Sequence, residues 1–92
     1  MLKTKYLFLK RLYPDKVIVL EKYGNYYLFG EDDYVFDFFL RKRLIFYLRE
    51  YRVDYMVVEN YEVKEDVVYI DNHYHELMIK WLLIKALKRE NQ

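Results

Sequence analysis

Tyr6-Leu-Phe-Leu-Lys-Arg-Leu-Tyr-Pro-Asp15, continued by Lys16-Val-Ile-Val-Leu-Glu-Lys-Tyr-Gly-Asn-Tyr-Tyr-Leu-Phe-Gly-Glu-Asp-Asp33, carries the plan of the fold. Tyr6, Leu9 and Tyr13 recur at helical spacing and Pro14 blocks continuation, so a short helix is expected over 4–13; a strand over 5–9 is the competing reading. Val17 to Tyr23 is β-branched and aromatic, which is strand character. Gly24-Asn25 tolerates positive φ and suits a tight hairpin, with the return strand over 26–30. Gly30 then leaves the sheet, and Glu31-Asp32-Asp33 supply the acidic first turn that a helix N-terminus favours.

Working outward, 32–51 is expected to be one long helix. Phe36, Leu40, Leu44 and Leu48 form a stripe joined by Phe39 and Tyr47, while Asp37, Arg41, Lys42 and Arg49 lie off it. Residues 53–60 return to strand character, with Tyr55 and Val57 on one face and Met56 and Val58 on the other. Lys64-Glu65-Asp66 reads as a polar turn, and 66–70 completes a second hairpin. Asp71 or Asn72 can cap a last helix over 72–89, whose Leu77, Met78, Trp81, Ile84 and Leu87 cover a broad apolar arc. The expected architecture is a single α+β domain over 1–92, with about four strands in a mixed sheet built from two hairpins and three helices in the order αββαββα.

Composition sets the outer bounds. At 92 residues the chain has room for one core and no second domain. The absence of cysteine excludes a disulfide framework, thiolate zinc sites and a thiol nucleophile, and points to a cytoplasmic protein. Serine is absent too, which excludes a serine hydrolase, and neither a Gly-rich phosphate loop nor a dinucleotide fingerprint is present. Apolar runs such as 44–48 are far shorter than the ~20 residues of a membrane span. A net charge of +1 makes no argument for a polyanionic partner, but its distribution is uneven. Segments 1–16 and 41–52 are basic and 53–71 is acidic, the pattern of a two-faced surface.

Tyr6-Leu7, Lys10, Pro14-Asp15 and Phe29-Gly30-Glu31-Asp32 stand at the spacing of a known pattern. With them the chain resembles the N-terminal, mismatch-reading domain (domain I) of the MutS family of DNA mismatch-repair proteins, here as a stand-alone domain. That pattern reads Tyr-Leu-x-x-Lys-x-x-x-Pro-Asp, an apolar strand, a Gly-Asp-Phe-Tyr-Glu turn, and Phe-Gly-Glu-Asp-Ala. The likeness covers about a third of the chain, and Tyr74-His75 is similar to the Tyr-His-Ala that often starts the last helix of the family domain. The resemblance implies a non-enzymatic nucleic-acid-binding module whose turn meets DNA. In the family the turn's Phe wedges beside a mispaired base and a Glu two residues on contacts it. An ungapped alignment puts Asn25 and Tyr27 at those positions; matching the turn glycine to Gly24 puts Tyr26 and Leu28 there. Neither supplies the carboxylate, so weak DNA binding with little sequence preference is expected, without the Phe-x-Glu reader.

Several groups are candidates for that chemistry. Tyr23, Tyr26 and Tyr27 around the turn, with Asn25, form a possible stacking platform for bases; the plain alternative is cross-strand packing. Arg41, Lys42 and Arg43, with Arg49 and Arg52, are candidate phosphate contacts, against the alternative of a solvated helix face. His73, His75, Asp71 and Glu76 carry metal-ligand chemistry, but positions i and i+2 of a helix point ~200° apart, so no metal is assigned. Asp32-Asp33 and Glu65-Asp66 are read as cap and turn residues. No catalytic residue and no cofactor is assigned. The alternative function is protein–protein interaction, a homodimer formed through the last helix at Trp81, Leu83 and Leu87.

Overall fold

A computed structural model describes residues 1–90 of the chain. Helix α1 (Leu2–Leu12) leads into strand β1 (Val17–Lys22) and the short strand β2 (Asn25–Tyr27). Two 3-10 segments (Gly30–Asp37 and Arg41–Arg43) precede helix α2 (Leu44–Glu50). Strands β3 (Tyr55–Glu59) and β4 (Glu62–Val67) and helix α3 (Tyr74–Glu90) complete the fold. The sheet order is β2-β1-β3-β4, with two antiparallel hairpins joined by a central parallel pair, β1 on β3. The expected α+β fold with a four-stranded mixed sheet is therefore the observed one.

The central pair explains the apolar run of β1. Parallel strands are covered on both faces, so every side chain must be apolar rather than alternate ones. Val17 to Leu20 and Tyr55 to Val58 are all buried. Val17, Val19, Tyr55 and Val57 face a core closed by the first 3-10 segment, α2 and α3, where Tyr34, Val35, Phe39, Leu44, Leu48 and Leu77 meet them. Ile18, Leu20, Met56 and Val58 face the opposite side, where Tyr6, Leu2 and Leu9 of α1 cover them. The sheet is the middle of three layers, and the expected division of 55–58 between two faces holds.

Three expectations require correction. The helix over 32–51 is broken: Leu40, meant to lie on its buried stripe, is extended (φ −63°, ψ 137°) and largely exposed. The run Tyr34-Val35-Phe36-Asp37-Phe38-Phe39 explains the break. Aromatic and β-branched residues are indifferent helix formers, and one helix face cannot bury so many adjacent rings. With the break, Tyr34, Val35 and Phe39 all reach the core, and Phe39 stacks on Tyr47 at 5.2 Å. The first hairpin turn is Tyr23-Gly24, not Gly24-Asn25, since Lys22 pairs with Asn25. Both turn residues have positive φ (53° and 77°), the requirement of a type I′ turn. The second hairpin turns at Asn60-Tyr61, where Asn60 takes φ 57°; Lys64-Glu65-Asp66 lies within β4, which ends at Val67. The charges of β4 fit an edge strand, where they oppose pairing with another chain.

Three of the opposed charges of the sequence pair with each other. Lys16 meets Asp66, Arg49 meets Glu65 and Arg52 meets Asp71, each at 2.7 Å. Asn72 fixes the start of α3: its Oδ1 accepts from the backbone N–H of Tyr74 and of Asp54, and its Nδ2 donates to the Asp15 carbonyl. This is one of the two caps expected.

Glu65 gives a pH-dependent contribution of known sign. The Tyr55 hydroxyl donates to Glu65 Oε2 at 2.6 Å and Arg49 donates at 2.7 Å, and together they hold its carboxyl below the usual range. Burial, with the carboxylate beside it, pushes the Tyr55 hydroxyl up to about 12. A carboxyl depressed in the folded state stabilises above its unfolded pKa, and that stability is lost as pH falls through the folded value. Thermal midpoints measured from pH 6 down to pH 2 should therefore fall less steeply in Glu65→Gln than in the wild-type chain. Parallel curves would remove this role for Glu65.

Candidate nucleic-acid interface

Lys10, Asp32 and Tyr74, from three separate stretches of the chain, meet in one place. Lys10 of α1 is buried, and its ammonium uses three donors: Asp32 Oδ1 at 2.8 Å, the Tyr74 hydroxyl at 2.7 Å and the Lys16 carbonyl at 2.7 Å. Asp32 is fully buried, and its Oδ1 also accepts from the Tyr74 hydroxyl at 2.9 Å, while Oδ2 accepts from the Ile18 N–H at 3.0 Å. Asp32 stands in the acidic first turn expected of it, but its side chain is buried and does not cap the segment. It ties α1, β1, the first 3-10 segment and α3 together. Beside it, Tyr6 packs beneath Gly30, where an added Cβ would lie 3.0 Å from the Tyr6 ring and φ is +51°. Asp15 reaches across to His75 at 2.9 Å.

Burial raises the Asp32 pKa, against the lowering effects of Lys10, the Ile18 N–H and Tyr74. Desolvation thus outweighs what the pair returns, the usual balance for a buried ion pair. Such a pair makes a geometry specific more than it adds stability, and removing one partner strands the other. Lys10→Met should lower the unfolding free energy by ~3–5 kcal/mol, and a Lys10→Met/Asp32→Leu double variant should recover much of it. Urea titration checks both; a single variant within about 1 kcal/mol of wild type would show that the pair is dispensable.

The hairpin tip lies at the opposite end of β1 and has a different character. Tyr23 is 88% exposed, with the Lys22 ammonium 5.5 Å from its ring centre. Tyr26 and Tyr27 are each half-buried and point to opposite faces, Tyr26 towards the α2/α3 core and Tyr27 towards the α1 core. Burial raises the Tyr26 pKa, as its position requires. The three tyrosines therefore form no common platform, because adjacent strand residues alternate faces. Asn25 and Tyr23 remain at the open surface.

Arg41, the first of the basic triplet, is brought to this hairpin. Arg41 donates from its guanidinium to the Tyr26 carbonyl and lies over the Phe36 ring at 4.2 Å and the Tyr27 ring at 6.0 Å. Lys42 and Arg43 are exposed on the same 3-10 turn. Arg49 and Arg52 are occupied by Glu65 and Asp71 and leave the candidate set. The imidazoles of His73 and His75 face different partners, Glu76 and Asp15, and among the described residues no group of three potential ligands surrounds a metal position. Trp81 turns inward, donating to Asp37 at 2.8 Å and packing on Tyr34 at 5.2 Å, whereas Leu83 and Leu87 are exposed.

No family model matches the chain significantly, and neither does any curated protein or solved structure. Among the described residues, no helix is long and apolar enough to cross a membrane.

Sequence reasoning missed two things here. The first turn at Asp32 is legible in the sequence, but its burial against Lys10 is not, because an ion pair between positions 10 and 32 leaves no periodic trace. Tyr23 differs from Tyr26 and Tyr27 because it precedes Gly24, and a two-residue turn places its first member outside the ladder.

Proposed function

We propose that the chain is a non-enzymatic nucleic-acid-binding module of the MutS domain I kind, meeting DNA through the β1–β2 turn and the adjoining basic turn. The observation that carries this reading is the convergence of Lys10, Asp32 and Tyr74 in one buried cluster. These residues come from three separate stretches that resemble the family pattern, and their common role here is to hold α1, the 3-10 segment and α3 around β1. The shared pattern on this account is the framework that presents the turn.

The turn supports the reading independently. A tyrosine at φ 53° is held in a conformation that L-residues with bulky side chains rarely adopt. Tyr23 has little intramolecular packing to offset that strain. Backbone strain of this kind is found at binding sites as well as in tight turns. An exposed ring offers a base-stacking surface worth ~1–3 kcal/mol per stacked base, and Lys22 stands beside it as positive charge for a phosphate, with Arg41 bound to the neighbouring strand. No carboxylate stands on the turn itself, so the module binds DNA without strong preference for a mispair.

Fluorescence anisotropy with a homoduplex, a mismatched duplex and a single strand tests this. Binding is expected at low salt, falling steeply as salt rises, with the three affinities within about tenfold of one another. Replacing Arg41, Lys42 and Arg43 together by Ala should weaken binding and flatten the salt dependence. The absence of binding to all three probes at low salt would overturn the proposal.

The strain at Tyr23 yields a further contrast. Tyr23→Asn places a residue tolerant of positive φ in the turn, so stability should rise by ~1 kcal/mol while DNA affinity falls. Tyr26→Ala and Tyr27→Ala should lower the thermal midpoint, as core residues do. If Tyr23→Asn left affinity unchanged, the exposed ring would have no part in binding.

A further inference from the structure

Both hairpins of the sheet turn at the same end. Strands β1 and β3 run parallel, with Glu21 opposite Glu59 as their last pair, so the turn after each strand leaves the sheet within about one residue of the same level. The β1–β2 turn is Tyr23-Gly24, between Lys22 and Asn25, and the β3–β4 turn is Asn60-Tyr61, between Glu59 and Glu62. Each turn carries one tyrosine that the fold leaves uncovered, and Tyr61, at 96% exposed, is barer than Tyr23. Tyr23 extends from β1 and Tyr61 leads into β4. The order β2-β1-β3-β4 sets those two strands two spacings apart, or ~10 Å.

The two rings are mounted alike. The Lys22 ammonium lies 5.5 Å from the centre of the Tyr23 ring, and the Lys5 ammonium lies 4.5 Å from the centre of the Tyr61 ring while donating to the Asn60 carbonyl. Lys5 thereby ties α1 to the second turn and backs the ring from one side, and the exposure of Tyr61 leaves the other face open. Charge at this end nearly balances. Lys64 stands 3.4 Å from Glu21 and 3.6 Å from Glu59, and Glu62 is exposed next to Tyr61. Two open rings with little net charge around them suit the faces of bases better than phosphates. A duplex hides those faces in its own stack, whereas a single strand can turn them out onto aromatic side chains.

Given the nucleic-acid reading above, on which this depends, we propose that Tyr61 is a second base-stacking residue. One single strand of nucleic acid lies across the end of the sheet, with one base on Tyr23 and another on Tyr61. Bases stacked at ~3.4 Å along a strand cover ~10 Å in three steps, so about four nucleotides reach from one ring to the other. A duplex is held through its phosphates and has no use for Tyr61. Stacking on Tyr61 also differs from phosphate contact in kind, because salt screens the second and not the first.

Anisotropy with a labelled oligothymidine of about eight nucleotides, beside a duplex, tests this. Tyr61→Ala should weaken binding of the single strand about fivefold, by the same factor at low and at moderate salt, and leave duplex affinity within about twofold. Tyr61→Phe, which keeps the ring, should bind the single strand as the unmodified chain does. The thermal midpoint should stay unchanged in both variants, since Tyr61 packs on almost nothing. An oligothymidine with 5-iodouracil at several positions should, on irradiation, cross-link to both Tyr23 and Tyr61, as located by mass spectrometry. Unchanged single-strand affinity in Tyr61→Ala, an equal loss on strand and duplex, or cross-links at Tyr23 alone would overturn the role of Tyr61 and leave the β1–β2 turn as the contact. No binding of either probe by the unmodified chain would overturn the nucleic-acid reading along with it.

Discussion

The layers of this fold are joined at a carboxylate that has been taken out of water. Asp32 is fully buried, and it is tolerable there only because Lys10, Tyr74 and the Ile18 N–H each donate to it. Each donor belongs to a different element, so all of them must be in place together. An apolar contact tolerates sliding, but a buried hydrogen-bonded ion pair does not. The cluster thereby fixes where α1 crosses the sheet and where α3 begins. It also brings the 3-10 segment against β1, alongside the burial of Tyr34 and Val35.

From that anchor the molecule divides into a rigid end and an open end. At the first, Asn72, Asp15 and Asp54 add further polar ties around the start of β1 and β3. At the second, β1 runs out to a two-residue turn whose outward side chains meet little but solvent. Arg41 bridges the two half-buried rings and the β2 carbonyl, so the basic turn follows the hairpin rather than swinging free. A scaffold of this kind holds a few exposed groups in fixed relation, which is what the proposed contact with a phosphate backbone requires.

What was legible in the sequence was what obeys a local period. The alternation of Tyr55, Met56, Val57 and Val58 between two faces could be read directly, as could the stop at Pro14 and the cap near Asn72. Misreadings arose where several local choices were equally good. Gly24 can sit at either position of a type I′ turn, and only the pairing of Lys22 with Asn25 decides which. The stripe Phe36, Leu40, Leu44 and Leu48 has perfect helical spacing, yet the chain breaks there because Tyr34, Val35 and Phe39 gain more burial than Leu40 loses. Lys10 and Asp32 were visible only as members of a resemblance, since no propensity or period records a partner 22 residues away.

The parallel pairing of β1 with β3 has a kinetic meaning. Each hairpin joins strands only a few residues apart and needs little loop closure. The pairing of Val17 with Tyr55 instead spans 38 positions (55 − 17), with the β2 strand, both 3-10 segments and α2 lying between. Neither hairpin has a sheet wide enough to stand alone in water, so each half waits for the other before its apolar faces are covered. The entropy of closing that span must be met before its contacts return anything, which places the slow step of folding at the centre of the sheet. A chain emerging from synthesis would hold β1, its most apolar strand, unsatisfied on one edge until β3 arrives.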